Sequence, residues 1–217
     1  LKPHRLELPT RSCWSVSGNM GGVCCTGPKK YPVHRDIQLQ PVDHDDEVDW
    51  EGIAAALPYE KSNLQKQRRK ELWSQFDVNG NGYLSLAEID RGIRDVLQSD
   101  ALFDAKPAIM RAFQAAKQAG GTTGIGAEYI EQPEFRIFLE YLHLYFSLYE
   151  RFECLDADKD RRLSEEEFTE TLPMLNNWGV DISEEDVEDV FAGIDKNGGG
   201  MITFEEFCDW AVAQKLG

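Results

Sequence analysis

Three segments of the chain set oxygen-bearing residues at the same offsets: DVNGNGYLSLAE (77–88), DADKDRRLSEEE (156–167) and DKNGGGMITFEE (195–206). A tight loop that encloses a seven-coordinate calcium ion needs oxygens at positions 1, 3, 5, 7, 9 and 12. In the first loop Asp77, Asn79 and Asn81 fill 1, 3 and 5, Tyr83 offers its carbonyl at 7, Ser85 stands at 9 and Glu88 closes the ring with two oxygens at 12. Gly82 at position 6 permits the left-handed turn that wraps the chain around an ion, and Leu84 at 8 is apolar, as expected of a residue that pairs with a partner loop. In the second loop the ligands are Asp156, Asp158, Asp160, the carbonyl of Arg162, Ser164 and Glu167, with Leu163 at 8; its four carboxylates give it the highest ligand charge of the three. Arg161 at its position 6 puts a non-glycine in a left-handed turn, which costs about 1–2 kcal/mol. That is small beside the attraction of four carboxylates for a divalent ion, so binding is expected. The third loop offers Asp195, Asn197, the carbonyl of Met201, Thr203 and Glu206, with Ile202 at 8. Gly199 at its position 5 has no side-chain oxygen, so a water takes that place and weaker binding is expected.

For one such match alone the alternative is an ordinary surface turn rich in Asp and Asn. Here the flanks agree as well. Leu72, Trp73 and Phe76 precede the first loop at helical spacing, Leu148, Tyr149 and Phe152 the second, and Val187, Val190 and Phe191 the third. Ile89, Ile93 and Val96, then Phe168 and Leu172, then Phe207 and Trp210 follow them. The reading is a run of helix–loop–helix units, the EF-hand. The loops start at 77, 156 and 195, so the first interval is about twice the second and a further repeat is due near 117–123. What stands there is TTGIGAEYIEQPE. With Ile130 at position 8, Thr123, Ile125 and Ala127 fall at 1, 3 and 5, and only Glu134 at 12 matches. This is a degenerate hand, retained because EF-hand loops pair. The predicted fold is all-α: two EF-hand pairs, 46–145 and 146–217, with short β-bridges between loops, and a long helix over about 134–154 joining hands two and three.

The charge balance fits cation binding. Lys and Arg number 23 against 39 Asp and Glu, a formal charge of −16, which argues against nucleic acid as a partner because phosphates would be repelled. The longest uncharged run in the most apolar region, 141–149, is nine residues, whereas a membrane span needs about 20. The five cysteines show neither disulfide-framework nor zinc spacing. Cys154 and Cys208 sit among apolar neighbours and are read as core residues.

Residues 1–35 hold six Lys/Arg against Glu7, a net +5, which leaves −21 for residues 36–217. Residues 1–45 are expected to be a disordered basic tail. Within it lies MGGVCCTGPKK. N-myristoylation needs a glycine after the initiator Met and a small residue at the sixth position. Counted from Met20, Gly21 is second and Cys25 sixth, so Met20 is expected to begin the protein, with 1–19 upstream of it. One myristoyl chain holds a membrane only marginally. Palmitate on Cys24 and Cys25, and the basic Lys29, Lys30 and Arg35, would supply the second signal. A second basic segment, KSNLQKQRRK (61–70), carries Lys61, Lys66, Arg68, Arg69 and Lys70 with no acid. It is either a solvated helix face or a patch for acidic lipid or an acidic partner. Ahead of it Trp50, Ile53 and Leu57 share one face of a short helix ended by Pro58; they pack on the lobe or cover a groove that calcium opens.

The stretches ALPYEK (56–61), KQRRKELW with FD and N (66–79), RAF, AAK and AG (111–120), EFRIFLEYL (134–142) and ITFEEF with WA (202–211) resemble the calflagins, the flagellar calcium-binding proteins of trypanosomatids. The similarity runs from Trp50 to Leu216. It implies an EF-hand fold, acylation at Gly21 and at one or both of Cys24 and Cys25, and calcium-linked association with the cytoplasmic face of the flagellar or ciliary membrane. The upstream residues and Arg161 depart from the family pattern. The expected function is that of a calcium sensor. The alternatives are a soluble calcium buffer, which needs better-charged loops than two of these, and a calcium-triggered photoprotein, which needs several buried His where only His143 lies outside the tail. No nucleophile–base arrangement suggests an enzyme.

Overall fold

The computed structural model describes residues 52–53, 56–120 and 128–216. The expectations for the tail, for Gly21, Cys24 and Cys25, for Trp50, and for Thr123, Ile125 and Ala127 lie outside the described residues.

Each hand follows from local chemistry. Ser62 is extended and its side chain accepts the Gln65 N–H, which starts α1 (Asn63–Phe76). Loop one follows, with β1 (Tyr83–Leu84) in it, then α2 (Leu86–Gly92), which runs on as a π-helical turn over Ile93–Leu97 until Gln98 turns left-handed at φ 52°. A short α3 (Asp100–Asp104) leads into α4 (Lys106–Gly120). Beyond β2 (Ile130–Glu131) comes α5, Phe135–Leu155, the long helix expected between hands two and three. Hand three continues through β3 (Arg162–Ser164), α6 (Glu165–Glu170) and α7 (Leu172–Asn177). Hand four is α8 (Val187–Ile194), β4 (Met201–Thr203) and α9 (Phe204–Ala213).

The loops pair as antiparallel two-stranded ribbons, β1 with β2 and β3 with β4. Leu84 stands opposite Ile130, and Leu163 opposite Ile202. In both ribbons position 8 of one loop meets position 8 of the other, and all four side chains are fully buried. Hand two therefore pairs like a working hand. It also keeps one internal bond of its siblings: the Glu131 N–H donates to Glu134 Oε2 at 2.9 Å.

The core hangs on α5. At its start Phe135 packs edge-on against Trp73 and Phe76 of α1, with ring centroids 5.3 and 5.6 Å away. Near its end Phe152 meets Phe204 and Phe207 of α9 at 5.5 and 5.4 Å. The expected domain boundary between 145 and 146 falls inside this helix, and from Asp49 onward the chain is one compact unit. α1 and α2 cross closely because Gly92 has no side chain; a Cβ there would sit 2.5 Å from the buried Phe76 ring. The segment ahead of α1 also packs on the lobe: Ile53 and Leu57 are buried, and the Tyr59 ring lies 5.0 Å from His143 of α5.

The reading of both cysteines as core needs correcting. Cys208 is buried, whereas Cys154 is exposed. On α5 the buried neighbours Phe152 and Leu155 face inward, and Cys154, some 200° from Phe152 around a helix of 3.6 residues per turn, points out. Among the described residues no helix is long and apolar enough to cross a membrane.

Candidate metal centres

The first residue of each complete loop ends a helix, and the ninth caps the next one. Ser85, Ser164 and Thr203 are N-caps, and Glu88, Glu167 and Glu206, three residues on, complete capping boxes with them. Positions 9 and 12 of the ligand pattern are thus the two halves of one helix-start device. The device fixes one oxygen of each glutamate: with the loops numbered by their hands, Oε2 accepts the N–H of the cap residue at 2.9 Å in loop one (77–88) and loop three (156–167) and at 3.0 Å in loop four (195–206). The other oxygen, Oε1, faces back across the loop. It takes the Asn79 amide at 2.5 Å in loop one, the N–H groups of Ala157 and Asp158 at 3.0 and 3.3 Å in loop three, and the Asn197 N–H and amide at 3.1 and 2.7 Å in loop four.

The position-1 aspartate wraps the turn from the other side. Asp77 Oδ2, Asp156 Oδ2 and Asp195 Oδ2 accept the position-6 N–H of Gly82, Arg161 and Gly200 at 3.0, 2.8 and 2.8 Å. Position 5 is tied to position 3 in the two loops that carry an oxygen there: Asn81 N–H reaches Asn79 Oδ1 at 2.8 Å, and Asp160 N–H reaches Asp158 Oδ1 at 3.0 Å. In each loop the carboxylates at positions 1 and 12 thus both accept from groups of the turn between them.

Loop three fits a cation best. Asp156 is 1% exposed, and its Oδ1 is buried without a hydrogen-bond partner. Burial pushes its carboxyl above the usual aspartate range, the Glu167 and Glu153 charges add to this, and backbone N–H groups oppose it. One carboxylate oxygen each from Asp156, Asp158 and Glu167 lie within 4.8 Å of one another. Oxygens on opposite sides of a calcium ion, each about 2.3–2.6 Å from it, stand about that far apart. Three anionic oxygens so close repel, and a divalent ion relieves this. In loops one and four a neutral Asn at position 3 donates to the closing glutamate instead, so fewer charges crowd together.

These loops have counterparts in known proteins. The FCaBP EF-hand domain family matches residues 53–142 and the EF-hand domain pair family residues 145–212. A protein named flagellar calcium-binding protein TB-24, from Trypanosoma brucei brucei, is 43% identical over 175 residues, 79% of this chain and 79% of its own. The flagellar calcium-binding protein of Trypanosoma cruzi is 38% identical over 170 residues, 77% of this chain and 80% of its own. The chain belongs to the flagellar calcium-binding protein family. Among solved structures, a homologue of programmed cell death 6 protein from Leishmania major Friedlin covers 74% of this chain and 78% of its own at 17% identity, with a TM-score of 0.37. The change from one family match to the other, between 142 and 145, falls within α5.

In this family member the strain in loop three is greater than Arg161 alone implies. Arg161 is left-handed at φ 69° as its position demands, and Lys159 at position 4 is left-handed too, at φ 62°. The equivalent residues are glycines elsewhere, Gly80 and Gly198, both at φ 67°. The signal was present in the sequence as a second aligned glycine in NGNG and NGGG. Replacing both Lys159 and Arg161 by Gly is expected to stabilise the calcium-free protein by about 1 kcal/mol, the removed strain of about 1–2 kcal/mol per residue being partly offset by glycine's larger unfolded entropy. A raised urea midpoint at unchanged slope is the readout.

The basic segment divides. Lys61, Lys66, Arg68 and Lys70 are exposed on and just before α1. Arg69 is half-buried instead, its Nη1 donating to the carbonyls of Pro58 and Glu60 at 2.7 Å each. It fastens the segment ahead of α1 to the lobe.

Proposed function

We propose that this chain is a calcium sensor that binds the ion through Asp77, Asn79, Asn81, Tyr83, Ser85 and Glu88 in loop one, through Asp156, Asp158, Asp160, Arg162, Ser164 and Glu167 in loop three, and through Asp195, Asn197, Gly199, Met201, Thr203 and Glu206 in loop four. The observation that carries the reading is the unpartnered, buried Asp156 Oδ1 beside two further carboxylates. Calcium supplies the positive charge that these oxygens lack. Binding both oxygens of a closing glutamate must draw Oε1 away from its present donors at positions 2 and 3. Because that glutamate is also part of a helix start, the exchange bears on how the exiting helix sits. A binding protein rather than an enzyme is what this chemistry serves.

The flagellum is the expected location, since the relatives are named for it. Membrane attachment is proposed from the sequence pattern at Gly21, Cys24 and Cys25, with the exposed Lys61, Lys66, Arg68 and Lys70 meeting acidic lipid head groups. A buffer is disfavoured because loops one and four hold only two ligand carboxylates each: Asp77 with Glu88, and Asp195 with Glu206. The test is sedimentation with vesicles containing phosphatidylserine, together with hydrophobic-dye fluorescence, at nanomolar and millimolar calcium. Both should change with calcium, and neutralising those four exposed cations should lower vesicle binding by about 1 kcal/mol for each cation near the surface. A protein that takes up calcium but shows no change in either signal would be a buffer.

A further inference from the structure

Away from the calcium loops, one cation ties the two EF-hand pairs together. Arg111 lies on α4, the helix that enters hand two, and its side chain is only 18% exposed. Its Nη2 is hydrogen-bonded to Asp209 Oδ1, and its Nη1 stands 3.5 Å from Glu205 Oε1. The guanidinium lies 5.1 Å from the centroid of the Tyr145 ring on α5, and its Nε is buried with no hydrogen-bond partner. Arg111 is therefore largely buried beside Tyr145, and its fork reaches α9.

What the fork reaches is placed to move. Glu205 and Asp209 are one turn apart on α9, the helix that leaves loop four, and Glu205 directly precedes the closing ligand Glu206. The other oxygen of Asp209 is 3.4 Å from Nζ of Lys196, which is position 2 of loop four itself. α9 is thus held at its start by the capping box of loop four and on its flank by a residue of the opposite EF-hand pair. A shift of α9 about loop four changes the geometry at Arg111 directly. Hand two has a paired loop, but Ile125 and Ala127 at its positions 3 and 5 have no side-chain oxygen, so its entering helix has no complete calcium site of its own to answer to.

We propose that Arg111 is a latch through which the calcium state of loop four is transmitted to α4 and so to the N-terminal pair. This rests on the reading that loop four binds calcium. The test therefore measures transmission rather than stability.

The experiment uses the full chain carrying Glu88→Gln and Glu167→Gln, which leaves loop four as the complete site. Calcium is titrated by calorimetry and, in parallel, by NMR of the Ala108 and Ala116 methyl groups, both fully buried on α4 on either side of Arg111. The methyl signals are expected to move in step with ion uptake. Arg111→Gln and Asp209→Asn should each reduce that movement by at least about half, and the two together no further, as for residues that share one interaction. Asp209 is about half exposed, so its variant keeps the fold even where loss of the partly buried Arg111 does not. Uptake heat with unmoving α4 methyls, or movement undiminished in Asp209→Asn, overturns the latch while leaving the calcium reading intact. No uptake heat at millimolar calcium overturns the calcium reading of loop four and the latch with it.

Discussion

Glu167→Gln is expected to weaken calcium binding at loop three by at least about 100-fold while leaving the calcium-free fold in place. Even outer-shell partners of a metal site cost about 10–100-fold when removed, and Glu167 is the residue that would give two oxygens directly. The two roles of the side chain separate cleanly here. A glutamine at the third helical position still completes a capping box, so α6 keeps its start with Ser164. The calcium-free protein feels two opposed effects. Burial raises the Glu167 carboxyl, but the Ser164 N–H and hydroxyl and the N–H groups of Asp158 and Ala157 outweigh it and hold the group below the usual glutamate range, so a neutral amide forgoes some of their attraction. Against that, the amide removes one of three anionic oxygens crowded within 4.8 Å. The net change in melting midpoint without calcium should be small. With calcium at about 100 times the dissociation constant the parent site gains about 2.7 kcal/mol, whereas a site weakened 100-fold gains about 0.4 kcal/mol at the same concentration. Melting curves with and without calcium read this difference. An unchanged calcium-induced gain in the variant would show that loop three is not an ion site, whatever its geometry.

How much of this was legible beforehand depended on whether the determinant was local. Loop geometry is local. A position-6 residue must turn left-handed whatever its type, so Arg161 could be anticipated at φ > 0, and Ile130 could be placed opposite Leu84 once it is taken as the apolar position 8 of the degenerate loop. The long α5 followed from its apolar periodicity. Four features were not visible in the same way. Lys159 was overlooked because position 4 carries no ligand, although the aligned glycines pointed to it. Cys154 was misread because apolar neighbours in sequence do not fix which side of a helix faces the core. Arg69 was grouped with its basic neighbours because composition does not reveal that one cation of five is turned to the carbonyls of Pro58 and Glu60. The Arg111 contacts with Asp209 span 98 residues, and no period or motif carries such a separation.

Ile130→Ala should be among the most damaging substitutions in the chain even though its hand lacks a ligand set. Ile130 is fully buried and faces Leu84 across the β1–β2 ribbon. Removing a buried aliphatic side chain to Ala costs about 2–5 kcal/mol, the upper end applying where the surroundings cannot collapse into the space. Collapse is restricted here, because the Leu84 backbone is held in the ribbon and the next residue, Ser85, is bound into the capping box of α2. For a chain of this size that loss lowers the melting midpoint by about 4–20 °C. The second consequence distinguishes a paired hand from a relic. The ribbon also fixes Tyr83, whose carbonyl is assigned to position 7 of loop one, opposite Glu131. Ile130→Ala should therefore weaken calcium binding at loop one while loops three and four, paired with each other through Leu163 and Ile202, titrate as before. Calorimetry in the Glu167→Gln, Glu206→Gln background, where loop one is the complete site that remains, measures that effect. If loop one binds as tightly in the variant as in its parent, pairing with hand two contributes nothing to the ion site. A degenerate hand would then persist for the helices it supplies, α4 and α5, rather than for its loop.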